Sequence, residues 1–548
     1  VKLSRDHSLV CYFPSGTYLV DDTIRVMKKA FYNPVNGRWQ ADSKVCYIVG
    51  SGKKRPLIKL VPGASNFQNT ANPLPVFWLY SMPAFGQQPE CEGSIDPICG
   101  QSNINFNQSI RSIDFDLGGN SGAVAIRHPG AQGATIEDVK INATGAFAGL
   151  HNPPGQAGGT YNVEITGGKY GVHFSRVGLT TQRWQGKFTI MAGCVFKNQE
   201  TAVFNIDLPH PMVVVGFHII KDNGPIAINL PNDGLTLVDG VIELSGGQAV
   251  NVSRPVYMRN VYIKGAEYIA NNWGVNNPAS WTLVEEYSYC PSNATNLLNG
   301  SLNQQEYRSK TEDLQIDGDA IARTLVVKHS WDHETFPHFE SPGAVNVKDP
   351  EKMNGNPALG NGSSDDIEAL EYAVANYDTI FLPKGSYNIS RTLVLGENTQ
   401  LFGISRTFTN INAADNWNSQ DNNLVTTVDA EDAETSISFM GLGSNHPLTW
   451  KAGRKSVVRD MNPRRVFITG NGGGKWFNPF LVGSQLTIDG TSQEIFMYGT
   501  NPERTSDPQY EIKNAENVQI FYLKSEAGAA GTPLSTPLKI SNSRNIAI

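Results

Sequence analysis

Three consecutive segments of one texture occupy the middle of the first half of the chain: MVVVGFHIIKDN at 212–223, LTLVDGVIELSGG at 235–247 and VYMRNVYIKG at 256–265. Each alternates apolar and polar residues, as a half-buried β-strand does, and each ends near glycine or asparagine. A unit this short cannot bury its own apolar side, so it has to stack on its neighbours. The segments therefore predict a repeat architecture built from short β-strands.

The same repeat runs on either side of these segments, between residues 110 and 270. Matching strand positions fall near Val163, Ile190, Val214, Leu237 and Tyr257. The spacing of 20 to 27 residues is too short for a β-propeller blade, which needs ~40–45 residues. A leucine-rich repeat would show a fixed Leu/Asn consensus, which this sequence lacks. The spacing favours a parallel β-helix, with glycine and asparagine at corners where φ is positive.

A second series of short β segments begins at residue 380 and continues to the end of the chain. Two phrases, FPSGTYLVDDTIR at 13–25 and FLPKGSYNISRTL at 381–393, share Pro, Gly, Tyr and Thr at matching positions. We interpret them as the first coil of each of two domains. The predicted fold is all-β, with two right-handed parallel β-helix domains in tandem at 1–325 and 346–548 and a linker at 326–345.

One segment, SSDDIEALEYAVAN at 363–376, has the features of a helix. Serine or aspartate caps its start, acids occupy its first turn, and its apolar residues lie on one side. A short helix here would cover the open end of the second β-helix. We expect an equivalent cap for the first domain upstream of Val1, outside the present sequence.

Composition excludes several classes of partner. The net charge is −7, and no basic block is longer than KKR at 53–55, so nucleic acid is not an expected partner. No stretch approaches the ~18 consecutive apolar residues of a membrane span, so no membrane association is predicted.

Cysteines and sequons bear on the compartment. Cys91 and Cys99 bracket a loop that they could close as a disulfide; the alternative is that all six cysteines are free. Seven Asn-x-Ser/Thr sequons are candidate glycosylation sites, at Asn107, Asn142, Asn251, Asn293, Asn299, Asn361 and Asn388. From these features we expect a secreted, extracellular glycoprotein.

The start of the second domain carries a family resemblance. DDIEALEYAV followed by FLPKGSYNISRTLVLGENTQLFG resembles the opening of pectate-lyase-like β-helix domains. Two such domains in one chain are similar to glycoside hydrolase family 55, the tandem β-helix β-1,3-glucanases. In the first domain YFPSGTYLV, RPLIKL and NVEITGGKYGVHF follow that family's order, as does PGAVNVKD in the second. The resemblance implies a β-glucan substrate, inverting hydrolysis in a cleft between the two helices, and no cofactor.

The resemblance also implies site residues. By order and spacing, YLKSEAG makes Glu526 the match to the family's general acid, and Ser175 is a candidate for holding the attacking water. An inverting enzyme keeps acid and base ~6.5–9.5 Å apart to make room for that water. Three tryptophans are candidate sugar-binding residues, with packing as the alternative for each: Trp184, Trp450 and Trp476. Other acids that could serve are more typical of an exposed surface: Asp489, Glu494, Glu503, Asp507 and Glu511.

Two further functions remain open from the sequence. After Glu526 the chain continues AGAAGTP, where the family has aromatic residues, so a non-catalytic glycan-binding or structural extracellular β-helix is one alternative. The other is a polysaccharide lyase, which would need a basic cluster such as the one in VVRDMNPRR, with Arg459, Arg464 and Arg465 beside Asp460. The cysteines and histidines show no zinc spacing, so no metal site is predicted.

Overall fold

The structure is a computed structural model, and it describes residues 8–28, 30–41, 44–81, 105–175, 188–206, 210–222, 224, 226–230, 234–290, 297–298, 301–302, 306–479, 483, 485–502, 507–525 and 536–548. The chain divides into two compact units, Val1–Asp332 and His333–Ile548. No helix in the described ranges is long and apolar enough to span a membrane. Parallel strands stacked coil upon coil form both units, which confirms the predicted pair of β-helices.

The first unit has two long sheets. Sheet 1 contains these strands in chain order: Leu9–Phe13, Thr17–Val20, Cys46–Gly50, Leu57–Leu60, Ser109–Arg111, Asp114–Asp116, Thr135–Asn142, Gly159–Thr166, Thr189–Lys197, Met212–Lys221, Leu235–Leu244, Val256–Lys264, Trp281–Tyr289 and Glu306–Leu314. Sheet 2 contains Ile24–Lys28, Leu74–Ser81, Ala123–Arg127, Ala148–His151, Tyr170–Phe174, Ala202–Ile206, Ile226–Leu230, Gln248–Val252, Tyr268–Ala270 and Trp273–Gly274. Smaller elements are two hairpins and a 3₁₀ turn: Ala30–Asn33 with Arg38–Ala41, Leu297–Leu298 with Ser301–Leu302, and Ser65–Phe67.

Strand pairing in sheet 1 shows how the coils stack. Met191 pairs with Val214, Val214 with Leu237, and Leu237 with Met258, so three successive coils have nearly the same length. All four side chains are fully buried in the core of the unit. This column matches the predicted positions to within one residue from Ile190 onward.

The predicted pairing of Val163 with Ile190 is wrong. Ile190 pairs with Gly159, and Thr160 pairs with Met191, so that coil is longer than the three that follow it. The predicted spacing was 20 to 27 residues per coil, but the chain between the strands Tyr170–Phe174 and Thr189–Lys197 is longer than its counterparts in neighbouring coils. Inserted loops lengthen a coil without disturbing the stacking of its strands.

The long strands of sheet 1 bend at one position in each coil. The residue at the bend adopts a left-handed backbone conformation and drops out of the strand pairing: Asp138 (φ 54), Asn162 (φ 55), Gly193 (φ 66), Gly216 (φ 60), Asp239 (φ 55) and Asn260 (φ 54). Glycine, asparagine and aspartate are the residues that tolerate this conformation. We refer to these six residues as the bend column.

Helix α1 (Gly318–Lys328) and the residues after it pack on the bend column. A Cβ atom on Gly193 would lie 2.4 Å from Ser330 Cβ, and one on Gly216 would lie 2.4 Å from His329 Cβ, so both glycines permit a close approach. Trp331 Nε1 donates to Asp138 Oδ1 at 2.8 Å. Residues 326–331, predicted as linker, therefore belong to the first unit.

The sequence did not predict α1. Its segment GDAIARTLVVK contains glycine and three β-branched residues after its first turn, which are weak helix formers. Its side chains Ala322 and Leu325 pack with Val241 and Trp281 of sheet 1. Packing against the sheet, which a local pattern does not record, accounts for this helix.

Replacing Asp239 with asparagine should loosen α1. Asp239 Oδ2 accepts from His329 Nε2 at 2.7 Å and from Lys328 Nζ at 2.9 Å, while Oδ1 accepts from Asn260 Nδ2 at 2.7 Å. Burial alone would raise the pKa of Asp239, but the hydrogen bond and charge of His329, then Asn260 and Lys328, hold it well below its usual value. We expect Asp239→Asn to lower the free energy of unfolding at pH 7 by about 3 kcal/mol.

The loss of stability in Asp239→Asn should depend on pH in a defined direction. A carboxyl group with a lowered folded-state pKa stabilises above its unfolded pKa of about 4, and that contribution disappears as the pH falls towards the folded-state value. The gap between wild type and Asp239→Asn in urea unfolding should therefore narrow below pH ~4. Asp222→Asn, at an exposed turn, is the control and should change little; an equal loss in both variants would contradict this role of Asp239.

Antiparallel strands end sheet 1. Trp281–Tyr289 pairs antiparallel with Val256–Lys264, and Glu306–Leu314 pairs antiparallel with Trp281–Tyr289. Both strands lie beyond residue 270, where the predicted repeat ends, so the sequence pattern did not predict them. Their exposed polar residues obscured the alternation, because this end of the sheet has a more solvated face.

The second unit also has two parallel sheets. Sheet 3 contains Val345–Asn346, Asn361–Asp365, Thr379–Phe381, Gly385–Ile389, Gln400–Phe402, Thr409–Ala413, Ser436–Leu442, Val457–Pro463, Gly474–Phe477, Ile495–Thr500, Glu516–Leu523 and Arg544–Ala547. Sheet 4 contains Leu393–Leu395, Val425–Thr427, Leu448–Trp450, Arg465–Ile468, Gln485–Asp489, Tyr510–Lys513 and Leu538–Ser541. A core of stacked apolar side chains fills the space between them.

The predicted capping helix is confirmed as α2 (Ile367–Asn376). Its Ile367, Ala369, Leu370 and Ala373 are buried in the core of the second unit. The repeated phrases also have a shared structural role: Tyr18 Oη donates to the Pro14 carbonyl at 3.0 Å, and Tyr387 Oη donates to the Pro383 carbonyl at 2.8 Å. Each tyrosine thus closes the turn that begins its first coil.

Candidate functional site

A row of polar side chains runs along the outer face of sheet 2 in the first unit. Its members pair from strand to strand: Arg127, His151, His173, Asn205, Asn229 and Asn251. Their neighbours Leu150, Val172 and Phe204 point into the core, so the alternation of the strands directs the polar row outward. We refer to these six residues as the polar row.

Hydrogen bonds link four members of the polar row from one strand to the next. Asn251 Nδ2 donates to Asn229 Oδ1 at 2.9 Å, and Asn229 Nδ2 donates to Asn205 Oδ1 at 3.2 Å. Asn205 Nδ2 lies 3.0 Å from His173 Nδ1, which must accept because an amide nitrogen only donates. This series of hydrogen bonds therefore sets the orientation of His173 from residues several coils away.

The buried end of the polar row holds a histidine–serine pair. His151 Nε2 lies 3.0 Å from Ser175 Oγ, and the two residues are 0% and 4% exposed. Asn152 fixes the serine from two sides: its Nδ2 donates to the Ser175 carbonyl at 3.1 Å, and the Ser175 amide donates to Asn152 Oδ1 at 3.2 Å. Asn152 has a left-handed backbone (φ 48), a conformation that asparagine tolerates. The serine predicted from sequence thus has a defined partner and a fixed orientation.

The electrostatic environment keeps His151 neutral. Burial, followed by the positive charge of Arg127 and the proximity of His173, lowers the pKa of His151 well below its usual value. A neutral imidazole offers one donor and one acceptor, so His151 can either orient the Ser175 hydroxyl or accept its proton. His151 Nδ1 is buried and has no hydrogen-bond partner, and no carboxylate completes a Ser-His-Asp arrangement among the described residues.

Aromatic rings and a buried cation surround the pair. The His173 ring stacks on Tyr170, with centroids 5.1 Å apart, and meets Phe147 edge-on at 5.1 Å. The Arg127 guanidinium lies over the Trp78 ring, with Cζ 5.4 Å from the ring centroid, and burial lowers its pKa to about 10. Polar groups between ring faces are the usual composition of a site for sugars.

Sequence reasoning identified Ser175 but missed Arg127, His151 and His173. The interval from His151 to Ser175 equals one coil of the repeat, the same as from Ile136 to its strand partner Thr160. That interval was the available signal, because residues one coil apart become neighbours when coils stack.

The other predicted site residues divide into two groups. Glu526, Trp184, Cys91, Cys99 and two sequons, Asn293 and Asn299, lie outside the described residues. Of the remaining sequons, Asn142 and Asn361 are exposed, and Asn107, Asn251 and Asn388 are half-buried. Glycosylation at these positions stays a prediction.

Trp450 and Trp476 are wrong as sugar-binding residues. They are 0% and 1% exposed and lie in the core of the second unit, with ring centroids 5.3 Å apart. Both indole nitrogens donate to the Gly473 carbonyl at 3.2 Å, so their polar atoms are also satisfied internally. The alternative of packing, open from the sequence, is the correct one for both.

An aromatic column runs along sheet 3 in the second unit. Phe477 stacks on Tyr498 at 4.5 Å, and Tyr498 stacks on Phe521 at 5.3 Å, on the face opposite the core. The strand Glu516–Leu523 carries Phe521, and Ser525 Oγ donates to Gln509 Oε1 at 2.7 Å just beyond its end. No sequence pattern indicated this column.

The residues of the basic cluster considered for a lyase have structural contacts or are exposed. Arg459 is 2% exposed and lies over the rings of Phe336 and Phe439, with Cζ 4.5 and 4.9 Å from the centroids. Asp460 forms a buried ion pair with Arg406. The remaining two arginines, Arg464 and Arg465, are exposed. The cluster therefore does not converge on one point.

Similarity to characterised proteins is limited in extent. A glucan 1,3-beta-glucosidase of Cochliobolus carbonum is 28% identical over 184 residues, which cover 32% of this chain and 19% of that protein. The match thus spans about a fifth of the relative's length. It agrees with the resemblance to glycoside hydrolase family 55.

Two solved structures align along nearly the whole chain but superimpose poorly. One is a PL6 family alginate lyase, AlyGC, with 11% identity, a TM-score of 0.17, and coverage of 98% of this chain and 97% of that chain. The other is an arginine mutant of AlyGC, with 8% identity, a TM-score of 0.20, and coverage of 97% of each chain. Nothing about substrate follows from alignments at these scores.

A family model provides the broader classification. The model described as "Rhamnogalacturonase A/epimerase, pectate lyase-like" matches residues 4–224 and 345–451, more than half of the chain and parts of both units. This match agrees with the stacked parallel strands and confirms the predicted pectate-lyase-like superfamily. The chain belongs to the rhamnogalacturonase A/epimerase, pectate lyase-like family.

Proposed function

We propose that the protein is a secreted glycoside hydrolase that cleaves β-1,3-glucan with inversion. Glu526 is the general acid, and Ser175 with His151 holds the attacking water. The observation that carries the proposal is the buried His151–Ser175 pair, with its serine oriented by Asn152. The similarity to a glucan 1,3-beta-glucosidase supports the choice of substrate.

The polar row supplies suitable chemistry for this role. The uncharged amides of Asn205, Asn229 and Asn251 offer donors and acceptors that match sugar hydroxyl groups. His151 is neutral, so it can share the Ser175 proton without adding charge. An attacking water held by Ser175 would be placed by groups whose orientation is set before substrate arrives.

The direct test is incubation with laminarin, a β-1,3-glucan. We expect release of glucose or short oligomers, with the new anomeric centre in the α configuration by proton NMR, because inversion converts a β linkage into an α product. Other β-glucans and mannans are the comparison substrates. Absence of product from all of them would reject a hydrolase.

Replacing Ser175 with alanine should lower kcat on laminarin by about 100-fold, because the water would lose a positioned partner. KM should change less, since this serine is assigned to the water and not to the sugar. Ser245→Ala is the matched control, because its hydroxyl donates only to the Asp222 carbonyl at an exposed turn. Wild-type turnover in Ser175→Ala would remove Ser175 from the mechanism.

A non-catalytic glycan-binding β-helix is the second candidate. The His151–Ser175 pair favours it, because no carboxylate accompanies the pair among the described residues. Co-sedimentation with insoluble β-1,3-glucan separates the two candidates. Retention on the polymer without any released sugar would support the binding protein.

A further inference from the structure

Three side chains capable of binding a metal ion converge at the docking face of α1, on the opposite sheet from the polar row. His218, Glu243 and Asp319 each offer one ligand atom, and these atoms lie within 4.8 Å of one another. His218 Nε2 is 2.9 Å from Glu243 Oε1. The histidine is buried, Glu243 is half-buried and Asp319 is exposed, so the cluster opens towards solvent on one side.

Coil stacking brings the first two ligands together. His218 pairs with Val241, and Glu243 lies two positions further along the same neighbouring strand. Positions two apart in register share a face, and long side chains reach across this diagonal. Along the chain, Glu243 therefore follows His218 by one coil, from His218 to Val241, and two further residues.

Packing of α1 delivers the third ligand. Ala322 and Leu325 lie against Val241 and Trp281, which fixes the helix over the strand that carries Glu243. At the start of α1, a Cβ atom on Gly318 would lie 1.9 Å from the Trp281 ring, so only glycine permits this approach. Asp319 follows directly and is held in the first turn of the helix beside His218 and Glu243.

We propose that His218, Glu243 and Asp319 bind a divalent transition-metal ion of the Zn²⁺ class, which joins the first turn of α1 to sheet 1. Imidazole with carboxylate oxygens suits such ions, whereas Ca²⁺ and Mg²⁺ prefer sites made only of oxygen atoms. Three protein ligands leave a fourth position for water. Zinc would replace the direct His218–Glu243 hydrogen bond with two metal–ligand bonds.

The lysine on the next strand lies beside the site but over an aromatic ring. Lys264 pairs with Glu243 in register, and its Nζ lies 5.6 Å from the centroid of the Trp281 ring. The ion pair of Glu243 is with His218, whose Nε2 lies 2.9 Å from Glu243 Oε1. Zinc binding by the carboxylate would leave Lys264 on the indole face.

The test is calorimetric titration of the full chain with ZnCl₂ after treatment with EDTA and its removal. We expect wild type to bind one more equivalent of Zn²⁺ than His218→Gln or Asp319→Asn, or to bind it at least about tenfold more tightly. Zinc should also raise Tm in wild type and in His446→Gln, a histidine control in the second unit. Ca²⁺ and Mg²⁺ should leave Tm unchanged.

Three results would overturn the proposal: no zinc binding by wild type, equal binding in wild type and Asp319→Asn, or an equal effect of Ca²⁺ on Tm. Asp319 is exposed, so Asp319→Asn is expected to fold and remains informative if His218→Gln does not. The readouts are binding and Tm, which are independent of any activity on glucan.

Discussion

Glu526→Gln should reduce hydrolysis of laminarin by about 10³-fold, because glutamine keeps the size of the side chain but has no proton to give to the leaving oxygen. This is the largest effect that we expect on activity. The preceding segment has a defined position: the Lys524 amide donates to the Thr500 carbonyl at 2.9 Å, and Ser525 Oγ donates to Gln509 Oε1. A substitution that preserves size should leave these contacts in place.

Two measurements distinguish loss of an acid from general damage. Aryl glucosides with good leaving groups need little protonation, so Glu526→Gln should retain more of its activity on them than on laminarin. The alkaline limb of the pH–rate profile, which reports the acid in its protonated form, should disappear in the variant. Glu516→Gln, on the strand Glu516–Leu523, is the control and should keep wild-type rates.

Turnover of laminarin by Glu526→Gln at the wild-type rate would assign the acid to another residue. Among the described acids of the second unit, Asp489 and Glu511 both form ion pairs with Lys513, at 3.5 and 3.8 Å. The Asp507 carboxylate accepts from the Thr536 amide, which lowers its pKa. A carboxyl group with a lowered pKa is a poor proton donor at neutral pH, so Asp507 would not be the first alternative general acid to test.

Replacing Asp460 with alanine should lower the free energy of unfolding of the second unit by about 3–5 kcal/mol. Asp460 Oδ1 accepts from an Arg406 guanidinium nitrogen, and both side chains are 1% exposed. Asn478 Nδ2 donates to the same oxygen at 3.0 Å. Removal of the carboxylate leaves the arginine charge buried without the negative charge of Asp460, which costs more than the pair itself contributes.

Chemical denaturation of single and double variants checks this role. Arg406→Met alone should also destabilise, and Arg406→Met with Asp460→Ala should lose clearly less than the sum of the two single losses. Glu516→Ala provides the matched control, because its partner Arg544 is 79% exposed and such surface pairs contribute at most about 1 kcal/mol. Additive losses at Arg406 and Asp460 would contradict a coupled pair.

The capping helix and the first coils show how far local patterns predict this fold. An acidic first-turn residue, Glu368, and an apolar side lie within 363–376, and α2 forms there. The predicted side-chain cap is wrong, because the Asp366 carboxylate accepts from the Leu359 and Gly360 amides and not from the helix. The Pro–Gly–Tyr phrases also contain their own contact, since each tyrosine bonds to the proline at the start of its own phrase. Both features depend on residues close together in the chain, which is why sequence reasoning found them.

Burial of the tryptophans shows where such reasoning fails. Trp450 and Trp476 follow strand or glycine patterns that are compatible with either a core or a cleft. Their rings meet although they come from strands of two different sheets, and both bond to Gly473. Which face of a coil a bulky residue occupies depends on the register, and a shift of a single position reverses it.

By itself the sequence determined the class of fold, because alternation within a strand and glycine or asparagine at the corners are local properties of the chain. It also placed Ser175 among the candidate residues. Only the tertiary structure decided which side chains meet: His151 with Ser175 one coil away, and α1 with the bend column. Those contacts depend on coil length and on packing between distant segments, and neither is written in any one stretch of residues.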